Sequence, residues 1–235
     1  MPVTHRKKGL PAVRQAIVLL SGGLDSATTL YWAKKKGFKC LCLNFDYGQR
    51  HQKEILAARK IAKSVRCSLR TIKIQLPWKG SALLDKVTAL PVRFLQAKNL
   101  NNSIPPTYVP ARNIIFLSFA TSFAEAAKAE AIFIGANAID YSGYPDCRPE
   151  FYKNFSGAIK TGTKSGVEGN RIRIFTPLIN KTKKEIIQLG TRLRVPYQFT
   201  WSCYQGGKRP CGKCDSCQLR QKGFREAGIK DPLNA

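Results

Sequence analysis

Acidic side chains are scarce in this chain: 14 Asp and Glu stand against 40 Lys and Arg, a formal charge of +26 over 235 residues. Between Ile55 and Ala124 the only acidic residue is Asp85. A field of that sign raises encounter rates with any polyanion, nucleotide or nucleic acid alike. No run of like charge exceeds the Arg6-Lys7-Lys8 tail, and no aromatic residues are interleaved with the basic ones as stacking platforms. Direct RNA binding is therefore the less favoured reading of the charge. Also missing is any uninterrupted apolar run near the roughly 18 residues of a membrane span, or an apolar signal segment behind the N-terminal basic residues. The expectation is a cytoplasmic chain without membrane contact. Its length and 43% hydrophobic content suffice for one buried core. Three parts are expected: a disordered basic arm over 1–13, an α/β domain over 14–200, and a small C-terminal module over 201–235.

What is present centres on Leu20-Ser-Gly-Gly-Leu-Asp-Ser26. The apolar run Ala16-Ile-Val-Leu-Leu20 before it suits a strand buried on both faces. Residues Ser26 to Lys36 after it read as a helix ending at Gly37. A strand, a glycine turn and a helix start in succession direct backbone N–H groups and the positive helix end at one spot, an anion site. Gly22 and Gly23 allow close approach of a ligand, and Ser21 and Ser26 add hydroxyl donors. Asp25 would repel phosphate unless a cation lay between, which assigns it to Mg²⁺. A plain Gly-Gly turn with Ser26 as helix cap is the alternative. A second glycine-rich stretch, Gly157 to Ser165, mimics a Walker A loop, but Thr163 separates its second glycine from Lys164 and no strand precedes it, so it is rejected.

The remaining chain reads as strands and helices in alternation, the pattern of a parallel sheet with helices on both faces. Strands are expected over 38–45, 69–76 and 131–136, with an edge strand over 171–175. A helix over 51–65 presents Ile55, Ala58, Ala62 and Val65 on one stripe. Past the end of the second strand comes Asp46-Tyr-Gly-Gln-Arg-His51, where doubly wound sheets face their ligand. His51 reads equally as a helix first-turn residue. Residues 77–107 show no clear periodicity and are expected to form a long loop. Pro110 starts a helix that puts Arg112 and Asn113 in its first turn, where a cation opposes the helix dipole and so suggests a phosphate contact. Asn137 to Phe151 concentrates carboxylates, aromatics and turn formers, as a specificity loop or a surface turn. Its Cys147 reads as a packed thiol rather than a nucleophile. Thr182 and Glu185 form a capping box for a helix burying Ile186, Leu189 and Leu193, with Lys183 in the first turn as a phosphate candidate.

Eight cysteines in a cytosolic setting point to metal rather than disulfides. Cys203, Cys211, Cys214 and Cys217 are spaced Cys-x₇-Cys-x₂-Cys-x₂-Cys, with Gly206, Gly207 and Gly212 permitting tight loops. Four thiolates suit a closed, structural Zn²⁺ site; an iron–sulfur cluster and a nucleic-acid-gripping knuckle share similar spacing.

The glycine turn resembles the Ser-Gly-Gly-x-Asp-Ser signature of PP-loop enzymes, which cleave ATP between the α and β phosphates. From Ile17 to Phe224 the chain resembles the 7-cyano-7-deazaguanine synthase family of queuosine biosynthesis. The likeness rests on Ser21 to Ser26, Phe45 to His51, Val109 to Asn113, Asp140 to Arg148 with Glu150 and Phe151, and Thr176 to Leu178 with Lys183 and Glu185. Ser202 to Tyr204 and Cys211 to Cys217 complete it. The stretch from Trp78 to Pro106 matches poorly. The resemblance implies a Rossmann-like, PP-loop α/β fold, a homodimer, and an enzyme using ATP with Mg²⁺, 7-carboxy-7-deazaguanine and ammonium. ATP is expected at Leu20 to Leu30, that is Leu20, Ser21, Gly22, Gly23, Leu24, Asp25, Ser26, Ala27, Thr28, Thr29 and Leu30. Ser21, Asp25, Ser26, Arg112 and Lys183 would serve the chemistry. Tyr47, Gln49, Arg50, Asp140, Tyr141, Tyr144, Asp146, Arg148 and Glu150 would hold the deazaguanine. The rival implications are a PP-loop enzyme acting directly on tRNA, and a non-catalytic zinc module binding nucleic acid.

Overall fold

The computed structural model describes residues 13–78, 80–85, 104–139 and 143–233. Five parallel strands form one sheet in the order β3-β2-β1-β4-β5: β1 Gln15–Leu19, β2 Lys39–Asp46, β3 Ser68–Lys73, β4 Ala131–Phe133 and β5 Arg173–Phe175. Register runs from Ala16 beside both Cys40 and Ala131. The order reverses at β1, so the chain leaves β1 and β4 toward opposite halves of the sheet and opens a crevice at their carboxyl ends. Helices cover both faces: α1 Leu24–Lys35, α2 Lys53–Ser64, α3 Arg112–Ala126, α4 Pro149–Gly162, α5 Lys164–Val167, α6 Lys183–Arg192 and α7 Asp215–Glu226. The central strands β1 and β4 are apolar and buried on both faces, whereas the edge strand β3 is polar and buries none of its residues. Ala16 and Val18 point to a core with Leu30, Phe133, Ile186 and Phe224, while Ile17 and Leu19 point to another with Leu117, Ile132 and Ile159.

The expected elements are present, with shifts that have physical causes. α1 begins at Leu24, two residues before the expected start; Gly23 is its N-cap, no side chain caps it, and Ser26 lies inside the helix. Gly37, just past its end, has φ +85° and reverses the chain into β2. β4 is shorter than expected, Ala131–Phe133, with a last rung from the Ile134 N–H to the Phe175 carbonyl before the chain reaches Gly135 at the crevice. On α6 the deeply buried positions are Ile186, Ile187 and Gly190, with Leu189 and Leu193 only half-buried. The helix is wedged between α1 and α7, so its buried face is rotated: Gly190 lies against the Tyr197 ring and Ile187 against Gly223. The rejected Walker-like stretch is the helical end of α4 followed by α5, with Thr163 capping the latter. Residues 1–12, and 86–103 of the expected loop, lie outside the described residues. Among the described residues no helix is long and apolar enough to cross a membrane.

Candidate active site at the glycine turn

Between β1 and α1 the chain turns through Ser21, Gly22 and Gly23. Gly22 has φ +94°, and a β-carbon on it would lie 2.1 Å from the carbonyl oxygen of Glu54, so only glycine fits. The serine hydroxyls organise the turn. Ser26 Oγ accepts from the Gly22 N–H at 3.2 Å and from Ser21 Oγ at 3.0 Å, and donates to the Gly23 carbonyl at 3.1 Å. Ser21 Oγ accepts from the Gly23 N–H at 3.3 Å. With no side-chain cap, the first-turn amides of α1 face the crevice, an arrangement that attracts anions.

Around this turn a single hollow is lined by Leu20, Ser21, Gly23, Asp25 and Ser26 from the turn and α1, and by Arg112 from α3 and Lys183 from α6. Lys183 Nζ donates to both oxygens of Asp25 at 2.8 Å. The capping box fixes this reach: Thr182 Oγ1 accepts from the Glu185 N–H and Glu185 accepts from the Thr182 N–H, which starts α6 with Lys183 pointing inward. Arg112 is the first residue of α3, following Ala111 in the left-handed region at φ 53°, where the Tyr108 hydroxyl accepts from the Ala111 N–H. Burial works against the Arg112 charge, but Tyr47, Tyr144, Asp146 and Cys147 around it outweigh that and raise its pKa. The guanidinium stays charged.

Glu54, in the first turn of α2, also lines the hollow. Burial pushes its carboxyl up to about 7, against the pull of Arg112. Tyr47 beside it is raised by burial as well. Cys147 is pushed up to about 12 by burial, which leaves it a neutral packed thiol.

Cys203, Cys211, Cys214 and Cys217 gather with their sulfurs within 4.8 Å of one another. Main-chain N–H groups converge on them: Gln205 and Cys211 donate to Cys203 Sγ, and Lys213 and Cys214 to Cys211 Sγ, at 3.3–3.4 Å. Donors aimed at sulfur favour thiolates, so the set fits a bound metal ion. The cluster shares a core with Trp201 and Ala57 of α2.

Residues 15–228 match the family described as queuosine biosynthesis protein QueC. The chain belongs to that family. Its relatives include the 7-cyano-7-deazaguanine synthase of Trichodesmium erythraeum, 50% identical over 93% of this chain and 99% of that one. Another is the synthase of the same name from Picrophilus torridus, 53% identical over 93% of this chain and 90% of that one. Among solved structures, NMN synthetase from Francisella tularensis aligns with a TM-score of 0.47 and 15% identity over 94% of this chain and 89% of that one.

Against the family's expected site, the structure brings Ser21, Asp25, Ser26, Arg112 and Lys183 into one hollow, together with Leu20, Gly23, Leu24, Tyr47, Gln49, Arg50 and Tyr144. Ala27, Thr28, Thr29 and Leu30 are wholly buried and do not line the hollow. Thr28 bonds the Leu24 carbonyl and the Tyr197 hydroxyl instead. Gly22 shapes the turn without lining the hollow. Asp146 does not line the hollow; its carboxylate accepts from the Asn113 N–H at 3.1 Å in the first turn of α3. Arg148 and Glu150 are exposed around the start of α4, outside the lining. Asp140 and Tyr141 lie outside the described residues. Gln49 braces its own loop through Phe45 and Tyr47, and Arg50 donates to the carbonyls of Ala82 and Asp85.

Three features escaped sequence reading. Gly135, after β4, sits where a β-carbon would be 2.9 Å from the Asp25 carbonyl carbon. Glu54, an acid in the first turn of α2, drew no reading from the sequence. Trp201 gave no signal of its contact with the glycine turn. A glycine directly after an apolar strand was a usable hint for the first; the other two depend on tertiary packing alone.

Proposed function

We propose that this chain converts 7-carboxy-7-deazaguanine and ammonia into 7-cyano-7-deazaguanine, the product for which its relatives are named, consuming ATP and releasing AMP and pyrophosphate. The observation that carries the reading is the convergence of Ser21, Ser26, Asp25, Lys183 and Arg112 on one hollow beside an uncapped helix start. Such a site holds a polyphosphate through amides, hydroxyls and fixed cations, and its catalysis is positioning and charge neutralisation.

The first-turn amides of α1 and the Ser21 and Ser26 hydroxyls receive the β and γ phosphates. Arg112, held charged by its neighbours, faces the α-phosphate. The substrate carboxylate attacks the α-phosphorus, the bond to the β-phosphate oxygen breaks, and pyrophosphate departs into the turn. Ammonia displaces AMP from the acyl-adenylate to give the amide. Adenylation of the amide oxygen by a second ATP turns that oxygen into a leaving group, and loss of AMP yields the nitrile. Lys183 neutralises Asp25 before nucleotide arrives. Mg²⁺ carried in with ATP would be held by the phosphates and Asp25, and would screen the carboxylate from them.

For the rest of the assembly, the four-cysteine cluster is read as a structural zinc site, closed, with none of its four cysteines lining the hollow. α3 is apolar nearly all round, with Ile114 and Phe119 exposed, which favours a second copy of the chain as its cover. Reduced cysteines and ATP dependence suit the cytoplasm. Free ammonium is the nitrogen donor.

The test is direct. Purified protein given the deazaguanine acid, ATP, Mg²⁺ and ammonium, with no RNA, should form AMP and a nitrile detected by mass spectrometry. AMP formed only after tRNA is added would transfer the activity to RNA modification, and no AMP under either condition would reject ATP chemistry at this site.

A further inference from the structure

In the reaction proposed above, on which this inference rests, nitrogen enters as ammonium with four hydrogens and leaves in a nitrile with none. One proton goes before the nitrogen attacks, one as AMP leaves the tetrahedral adduct, and two from the amide nitrogen as the activated oxygen departs. Each needs an acceptor close to the reacting carbon.

Among the described residues lining the hollow, only Asp25 and Glu54 carry carboxylates. Asp25 is engaged through both oxygens by Lys183. The His51 ring bonds the Cys203 carbonyl through Nε2, and its Nδ1 is buried without a partner. Glu54 forms no hydrogen bond or ion pair among the described residues, yet its own carbonyl packs against Gly22, beside the turn that receives phosphate. We infer that Glu54 is the general base that strips the protons from the nitrogen.

The surroundings fit that task. Arg112 faces Glu54 from α3 and Tyr47 from the end of β2, while Asp25 and Lys183 line the same hollow from α1 and α6. Lys53, next to it on α2, turns away to the Trp201 ring and the Gly207 carbonyl. With its carboxyl pushed up to about 7, Glu54 accepts a proton and returns it to solvent at neutral pH. In each step an N–H bond breaks and a carboxyl O–H forms. The freed electron pair stays on nitrogen for attack, or becomes the carbon–nitrogen π bond while the carbon–oxygen bond breaks toward AMP.

The experiment compares wild type, Glu54→Gln and Glu54→Asp in two assays: nitrile formation from ammonium, and hydroxamate formation with hydroxylamine. Hydroxylamine arrives uncharged, and its adduct loses a proton readily to water. Glu54→Gln should lower ammonium-dependent turnover by about 100-fold or more. It should also erase the acid limb near pH 7 from the rate profile, and leave hydroxamate formation within a few-fold of wild type. Glu54→Asp should recover part of the ammonium rate. An equal fall in both assays would place Glu54 in nucleotide binding and overturn the inference, as would ammonium turnover within about threefold of wild type with the acid limb intact. Wild-type protein that makes no nitrile overturns the functional reading and this inference with it, whereas a turning-over wild type beside an unaffected Gln variant overturns this inference alone.

Discussion

The main-chain N–H of Trp201 donates to the carbonyl of Gly22 at 2.9 Å. The same tryptophan's Nε1 donates to the Cys203 carbonyl at 2.9 Å, and His51 Nε2 lies 2.8 Å from that oxygen. The cysteine cluster and the glycine turn are thus two hydrogen bonds apart, across one side chain. Gly22 cannot relax independently of residue 203, because its neighbour on the other side is the Glu54 carbonyl.

Loss of metal should therefore reach the nucleotide. A Cys214→Ser variant, or wild type treated with a strong chelator, should melt at lower temperature and bind ATP at least several-fold more weakly, although no cysteine of the cluster faces the phosphates. Metal content by mass spectrometry, thermal melts and ATP titration check this together. A metal-free protein with unchanged ATP affinity would show that the Trp201 link transmits nothing.

The two glycines of the turn should behave differently. Gly22→Ala adds a β-carbon 2.1 Å from backbone oxygen at φ +94°, so α2 or the turn must move; destabilisation of about 3 kcal/mol and loss of ATP binding are expected. At Gly23 the nearest atom to an added β-carbon is Ser21 Oγ at 3.5 Å, and φ is −77°. Gly23→Ala should fold with a melting temperature close to wild type. Denaturation curves of the two variants decide the matter, and equal stabilities would contradict the packing described.

Lys183 and Asp25 form a mostly buried pair, with side chains 9% and 19% exposed. Removing one member leaves the other uncompensated, at about 3 kcal/mol for a buried pair. Lys183→Met should lose about that much and reduce ATP-dependent turnover by about 100-fold or more; Lys183→Met combined with Asp25→Asn should regain stability without regaining activity. A double-mutant cycle of melts and rates measures both. Full additivity in the stability data would mean that the two side chains do not interact.

The parallel sheet and four of the helices were legible because buried parallel strands and amphipathic helices leave their period in the residues: Ala16 to Leu20 and the stripe Ile55, Ala58, Ala62 are examples, whereas α4, α5 and α7 were not read. The glycine turn was legible because a strand, two glycines and a helix start follow one another in sequence, and the cysteine cluster because its spacing is itself local. Depth is not legible in the same way: Thr28 and Thr29 sit on the inner face of the motif's own helix, and Asp146 sits in a polar loop yet accepts from the Asn113 N–H. The start of α1 was misplaced because Ser26 has the chemistry of a cap, while the hydroxyl folds back on the turn before the helix. Glu54 is invisible by pattern, since its unusual proton affinity arises from burial beside residues far away in sequence.

That affinity has a consequence for folding as well as for chemistry. The folded Glu54 carboxyl titrates at about 7, against 4.5 for an unburied one. Between those values the folded protein holds a proton that the unfolded chain has lost, so the stability associated with this group is fully present below about pH 4.5 and disappears as pH rises through about 7. The shift corresponds to about 3 kcal/mol. Glu54→Gln keeps the neutral shape and removes the titration. Its melting temperature should therefore match wild type near pH 5 and exceed it at pH 8, the reverse of what loss of a supporting salt bridge would produce. Thermal melts of both proteins across that range provide the check: a variant less stable than wild type at pH 8 would show that the carboxylate is held by a favourable partner in the folded state.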